Sequence, residues 1–227
     1  MTFNFLLFGV YPYVAVAIAA IGAWARFDMA QYTWKAHSSQ MLSNDGMRVA
    51  SNLFHVGVIF VLAGHFVGLL TPEWLYHSVI TTQNKQLLAM VSGGFFGVLG
   101  LIGLTMLIKR RMNNERIKAN TSKADMLVLG MLWVQLVLGL LSILVSSTHL
   151  DGSVMVQLAT WAQSIVILNP TAAAESIESV NIIYKLHIIL GLGFFVVFPF
   201  TRLVHVVSAP VWYFGRAYQI VRQKREA

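Results

Sequence analysis

Five long stretches of this 227-residue sequence are almost free of charged side chains, and they constrain the fold more than any other feature. A helix needs roughly 20 apolar residues to cross about 30 Å of hydrocarbon. The stretches predict transmembrane helices over residues 4–25, 50–71, 87–108, 126–147 and 181–207. Gly93, Gly94 and Gly97 in the third stretch predict a close approach of helix backbones. With 57% hydrophobic and 11% charged residues, the chain is predicted to be an all-α integral membrane protein, one domain over 1–227.

Residues 152–174 also lack charges but are too polar for a sixth span. Gln157, Gln163 and Asn169 recur along this segment, and Pro170 follows. We therefore predict a helix that lies along the outer membrane interface.

The basic residues predict the direction in which the helices cross. Thirteen Lys and Arg lie on one side, in residues 26–48, 109–123 and the basic tail 208–227, whereas only Lys85 and Lys185 lie on the other. The positive-inside rule places the N-terminus outside and the C-terminus in the cytoplasm. No basic residue precedes the first apolar stretch, so we do not expect a conventional signal peptide there. The basic groups flank apolar segments and form no soluble basic face, which argues against nucleic-acid binding.

Four of the seven histidines lie inside predicted spans: His55, His65, His187 and His205. An ionisable group within a membrane is costly and is a functional hypothesis by default. One such histidine would favour a simple interhelical hydrogen bond, but two pairs on only two helices favour two b-type haems. The other three, His37, His77 and His149, lie near span ends and are not expected to bind iron. The chain has no cysteine, which excludes thiolate zinc sites and cysteine-held iron–sulfur clusters within it.

The topology predicts how these histidines pair. The second and fifth spans run antiparallel, so His55 should pair with His205 towards the cytoplasm, and His65 with His187 towards the exterior. Two imidazoles on each iron leave no open position, which suits electron transfer. Ten helical residues rise about 15 Å and eighteen about 27 Å, so tilt or a bend at Pro199 must absorb the mismatch. The spacing differs from that of cytochrome bc-type bundles, and the clustered ligands of a non-haem iron oxygenase are missing.

Several segments resemble the gamma subunit, the cytochrome b subunit, of membrane-bound respiratory nitrate reductases. They are YPYVAVAIAAIGAWARFD, QYTWKAHSSQML, GMRVASNLFHVG, AGHFVGLLTPEWLY, LGFFVVFPFTRLVHVVSAPVWY and the short KRR at 109–111. The similarity covers nearly the whole chain and is weakest around residues 150–180.

The resemblance implies a membrane subunit with five spans and two haems b that oxidises quinol near the outer face. It implies that electrons pass to an iron–sulfur beta subunit and then to a molybdenum-containing alpha subunit. It places the four axial ligands on His55, His65, His187 and His205, and a quinol site on Gly64, His65 and Lys85. The expected location is the bacterial cytoplasmic (inner) membrane, among its lipids, in nitrate respiration, with nitrate assimilation as an associated role.

Three cations have two interpretations each. Lys85 either stabilises a quinol oxygen or anchors the third span by snorkelling. Arg202, three residues before His205, and Arg111 either bind a haem propionate or bind anionic lipid headgroups.

Two other functions stay open on the residues alone. One is an equivalent quinol-oxidising subunit of another cytoplasmic reductase, of the heterodisulfide or sulfite type. The other is a haem-free membrane anchor, against which the intramembrane histidines argue.

Overall fold

A computed structural model describes residues 2–36, 38–208 and 215, and all regular elements among them are helical. We label the longer helices α1 Phe3–Met29, α2 Met47–Leu70, α3 Thr82–Asn113, α4 Lys123–Ser146, α5 Ser153–Val166, α6 Pro170–Ser176 and α7 Ile182–Val197. Short helical turns lie at Gln31–Thr33, Glu73–Tyr76, Glu115–Ala119, Phe198–Phe200 and Arg202–Ser208. His37 and most of the predicted basic tail 208–227 lie outside the described residues.

Within the described part of the chain, five helices are long and apolar enough to cross a membrane, which confirms the predicted all-α, five-span class at that level. They are α1, α2, α3, α4 and α7 together with the turn that ends at Phe200. Many large apolar side chains on these helices are exposed, among them Ile59, Phe66 and Leu144. Such a surface suits hydrocarbon, because a soluble protein seldom exposes so much contiguous apolar area.

A proline shapes the N-terminal part of α1. Pro12 has no backbone N–H, so it cannot bond the carbonyl one turn earlier, and Leu6–Val10 forms a π-helical turn. The indole N–H of Trp161 donates to the Phe8 carbonyl at 3.0 Å. The bond that Pro12 cannot make is thus replaced by one that fixes α5 to α1.

Glycines bring α2 and α3 into backbone contact. A Cβ added at Gly57 would lie 2.4 Å from the Gly100 nitrogen, and one at Gly103 would lie 2.4 Å from the Phe54 nitrogen. Small residues allow such close crossings in membranes. The prediction that Gly93 and Gly94 serve this purpose was wrong, because a Cβ there would only make ordinary contact with Ile143. Gly97 is closer, at 3.1 Å from a Leu140 methyl.

The α-helix of the fifth span is shorter than predicted. The sequence predicted one span over 181–207, but α7 ends at Val197 and gives way to the turn Phe198–Phe200. Pro199 removes a backbone donor and clashes with the preceding turn, and Thr201 is extended at φ −127°. His205 therefore lies on the separate turn Arg202–Ser208 and not on the helix that carries His187.

Helices α5 and α6 cover one end of the bundle, where α1 and α7 begin and α2 and α4 end. The side-chain amide of Gln163 donates to the Leu69 carbonyl at 3.0 Å, and the Tyr13 hydroxyl donates to the Ile165 carbonyl at 3.1 Å. A 14-residue helix is too short to span hydrocarbon. That this segment, predicted over 152–174, lies at the membrane interface stays a prediction, as does the single domain.

Candidate cofactor site between the second and fifth spans

Local backbone bonds fix three of the four intramembrane histidines in one tautomer. The Nδ1 of His55 lies 2.8 Å from the Ser51 carbonyl, that of His65 lies 2.8 Å from the Val61 carbonyl, and that of His205 lies 2.6 Å from the Arg202 carbonyl. A carbonyl only accepts, so Nδ1 carries the proton in each ring. Nε2 is left with its lone pair outward, the state in which imidazole binds a metal.

The rings of His65 and His187, the predicted outer pair, lie close together between α2 and α7. The ring centroids of His65 and His187 are 6.0 Å apart, and their planes are inclined by 30°. Two imidazoles on opposite sides of one iron have centroids about 6 Å apart, given metal–nitrogen bonds of about 2 Å and a ring radius of about 1 Å. The separation therefore fits a shared axial pair.

The surroundings of His187 differ from those of the other three histidines. Its Nδ1 is buried and has no hydrogen-bond partner among the described residues. The side-chain amide of Gln135 donates to the His187 carbonyl at 3.1 Å, and the same amide nitrogen lies 3.3 Å from the ring Nε2, the nitrogen that would bind iron. A Cβ added at Gly139 would lie 3.2 Å from the ring, so this glycine gives the imidazole its place against α4.

His55 and His205, the predicted inner pair, are not brought together in the same way. Both lie towards the end of the bundle opposite to α5, but no ring contact joins His55 and His205 among the residues described. Helix α2 packs mainly on α3, whereas α7 packs on α1 and α4. His55 and His65 are both exposed on α2. The pairing of His55 with His205 stays a prediction from topology.

The residues of the predicted quinol site lie towards the end of the bundle that α5 and α6 cover. Lys85 is only 9% exposed, and its Nζ lies 3.5 Å from the Thr71 carbonyl and 3.6 Å above the ring of Tyr76. A Cβ added at Gly64 would meet no atom within 4 Å, so the surface of α2 is open at this residue, which precedes His65 in the chain. An open cleft of about 890 Å³ lies at the same end of α2 and is lined mainly by apolar side chains.

The two predicted propionate partners meet a residue that the sequence reasoning missed. Asp125, 6% exposed, accepts from the Arg202 Nε at 2.7 Å and lies 4.0 Å from Arg111. The sequence offered only the Ser122-x-x-Asp125 capping box, which the structure contains. Nothing in that pattern indicated that two guanidinium groups would converge on the carboxylate. A guanidinium has five N–H donors, so a propionate contact in addition to Asp125 stays a prediction.

Comparisons with known proteins decide the family. The family model described as nitrate reductase gamma subunit matches residues 4–224. The chain belongs to the nitrate reductase gamma subunit family. This membership confirms the resemblance on which the cofactor prediction depends.

Several gamma chains cover this sequence nearly end to end. It is 48% identical to the respiratory nitrate reductase 1 gamma chain of Escherichia coli (strain K12), over 97% of this chain and 98% of that one. It is 46% identical to the respiratory nitrate reductase 2 gamma chain of the same organism, over 98% of each. It is 32% identical to the nitrate reductase gamma chain of Bacillus subtilis (strain 168), over 96% and 98%.

Proposed function

We propose that this gamma-family chain is the quinol-oxidising cytochrome b subunit of a respiratory nitrate reductase and binds two haems b. The observation that carries the proposal is the 6.0 Å approach of the His65 and His187 rings on two antiparallel spans. When bound, the haems supply one-electron carriers between the two membrane faces. His65 and His187 hold the outer haem, and His55 and His205 the inner one.

The backbone bonds of the histidines prepare them for this role. In His55, His65 and His205, the Nδ1–H group is committed to a carbonyl 2.6–2.8 Å away. Such a bond fixes the ring orientation and raises the basicity of Nε2. The ligands are thereby held in the required tautomer before any metal arrives.

Lys85 is the residue that binds quinol at the outer end. Its contact with the Thr71 carbonyl is long, at 3.5 Å, so the ammonium can exchange that weak bond for one to a quinol oxygen. A cation at this place stabilises the negative charge that develops on the oxygen as its proton leaves. The open space at Gly64 lets a planar ring lie beside His65.

The orientation predicted from thirteen basic residues against two gives this chemistry a direction. With the N-terminus outside and the C-terminus in the cytoplasm, Lys85 and the outer pair lie at the exterior face. Quinol protons are then released outside while electrons move inward. Moving one charge across the membrane stores about 2.3 kcal/mol per 100 mV.

The partners follow from the family. The inner end of the bundle delivers electrons to an iron–sulfur beta subunit, which passes them to a molybdenum-containing alpha subunit. The complex lies in the bacterial cytoplasmic (inner) membrane. Relatives named as nitrate reductase gamma chains favour nitrate over a heterodisulfide- or sulfite-type acceptor. The names specify respiration for the Escherichia coli chains, and nitrate assimilation has no support.

Single-ligand variants of the purified complex test the cofactor assignment. His55→Ala and His65→Ala are each expected to lose one of two haems, because each removes one axial bond from a different pair. His149→Ala is the matched control, since this histidine lies outside the spans and bonds its neighbour Thr148. Haem content is measured by extraction and by the reduced-minus-oxidised spectrum. Two haems retained in His55→Ala or His65→Ala would overturn the assignment.

Proton release tests the direction. Vesicles with the cytoplasmic face inward should acidify the medium during quinol oxidation, and His65→Ala should abolish the signal. Acidification of the lumen would contradict the orientation.

A further inference from the structure

Of the four proposed ligands, His205 alone lies outside a regular α-helix. His55 and His65 lie within α2, and His187 lies within α7, so helix geometry fixes their backbones. His205 lies on the turn Arg202–Ser208, beyond the break at Pro199 and Thr201. Something other than a continuous helix must hold this ligand in place.

The first contact that holds the break comes from α1. The Nη1 of Arg26 donates to the Pro199 carbonyl at 2.7 Å and to the Thr201 carbonyl at 2.8 Å. Helix breaks leave carbonyls without intrahelical partners, and burying such groups unpaired is costly. Gly22, one turn earlier on α1, allows the approach, because a Cβ there would lie 2.7 Å from the Pro199 ring.

The second contact comes from α4 and reaches the ligand more directly. Asp125 is fixed at the start of α4 by the reciprocal capping bonds with Ser122, at 3.1 and 3.2 Å. Its carboxylate accepts from the Arg202 Nε at 2.7 Å. The carbonyl of the same Arg202 accepts from the His205 Nδ1–H at 2.6 Å. One residue thus joins a buried ion pair on one side to the imidazole on the other.

We propose that Asp125 and Arg26 are positioning residues for the inner haem. They hold the segment 198–208 in place so that His205 presents Nε2 to the iron. The proposal rests on the proposed role of His205 as an inner ligand. Loss of either contact leaves α7 and His187 on an intact helix, so the outer haem should not respond. The predicted signature is a change confined to one of two haems in the same chain.

The test uses the complete complex with Asp125→Asn. This variant keeps the shape of the side chain but removes its charge, so the ion pair with Arg202 is lost. The inner haem is expected to shift to a higher midpoint potential, because a nearby negative charge that favours the oxidised state is gone. Its low-spin ferric electron paramagnetic resonance signal should shift or broaden as the angle of the His205 ring changes. The outer haem should keep its potential and its signal.

Two further variants separate positioning from general structure. Asp125→Glu keeps the charge and should restore most of the wild-type inner signal. Asp28→Asn is the matched control, because Asp28 is an exposed acid at the same end and makes no hydrogen bond among the described residues. Arg26→Lys keeps the charge but cannot bridge two carbonyls in the fixed geometry of a guanidinium. Arg26→Lys should alter the paramagnetic resonance signal of the inner haem alone. It tests the proposal independently if the Asp125→Asn protein does not accumulate.

The outcomes distinguish this inference from the proposed function. Inner signals unchanged in Asp125→Asn, or in Arg26→Lys where the former does not accumulate, would overturn the positioning role. Equal changes in both haems would also overturn it, since they indicate a general loss of structure. If His205→Ala retained two haems, the ligand assignment itself would be wrong, whatever the Asp125 and Arg26 variants show.

Discussion

Helix α2 carries one ligand of each proposed haem, so its contact with α3 can be tested by a single methyl group. Gly57 lies between His55 and His65, and a Cβ at this position would lie 2.4 and 2.6 Å from the nitrogen and Cα of Gly100 and 2.6 Å from the Phe96 carbonyl. All three are backbone atoms, which cannot rotate out of the way as the end of a side chain can. Gly57→Ala must therefore push the two helices apart.

The size of the effect follows from these distances. Ordinary contact begins at 3.4 Å, so the helices must separate by roughly 1 Å at this point. Overpacking a well-packed interior costs about 1–3 kcal/mol, and we expect the upper part of that range because no side chain can yield. A loss of 2–3 kcal/mol is roughly a 30- to 150-fold change in the unfolding equilibrium constant.

The assay is equilibrium unfolding in detergent, followed by the haem absorbance of both centres. Both should be lost together and at lower denaturant, since both depend on the position of α2. Gly130→Ala is the matched control, because a Cβ at this exposed position on α4 would meet nothing within 4 Å. Alanine is the better helix former, so the control should be neutral or more stable by up to about 1 kcal/mol. If Gly57→Ala unfolded like Gly130→Ala, the backbone contact would not be the interaction that holds α2.

Three further predictions concern single sites. Lys85→Met should lower the quinol-dependent rate of haem reduction, measured by stopped flow, by about 100-fold with haem content unchanged. Lys185, whose ammonium donates to the Glu178 carbonyl at 2.7 Å, supplies the control: Lys185→Met should keep the wild-type rate. Equal rates in the two variants would refute the role of Lys85. Gly139→Val should disturb the outer haem alone, seen in its spectrum, because the added methyl groups enter the position of the His187 ring; an altered inner haem would contradict this. Ser122→Ala should destabilise the start of α4 by about 1 kcal/mol in detergent unfolding, and no change would show that the capping box contributes little.

Hydropathy and charge predicted the helices well because lipid leaves few alternatives. A backbone polar group in hydrocarbon must be satisfied within its own segment, so a charge-free stretch of about 20 residues can hardly be anything but a helix. The same reasoning placed His65 and His187 at one end, and the structure brings their rings to 6.0 Å. The family resemblance was needed for the quinol site, since nothing in the local pattern separates Lys85 from an anchoring lysine.

The misses have two physical causes. The contact of Gly57 with Gly100 and the convergence of two arginines on Asp125 depend on residues far apart in sequence. The end of α7 at Val197 has a local cause in Pro199. Hydropathy averages over a window and is insensitive to a single proline whose ring disrupts the helix. The sequence predicts a bend at Pro199 within one continuous span, whereas in the structure His205 lies on a separate segment of different geometry.

The four histidines come from two groups of helices, and this arrangement makes cofactor binding part of the folding problem. Helix α2 is held mainly by α3 and, at its C-terminal end, by Gln163 of α5, whereas α7 is held by α1 and α4. A group bound by both His65 and His187 would tie these two sets of contacts together. Any ligand that binds only the folded state stabilises it by mass action. Only 6–22% of the residues in each span are buried within the chain. The spans therefore have few internal contacts that could replace the link between His65 and His187. The haems should therefore hold the second and fifth spans together as well as carry electrons, and α2 should be the helix that the haem-free chain positions least firmly.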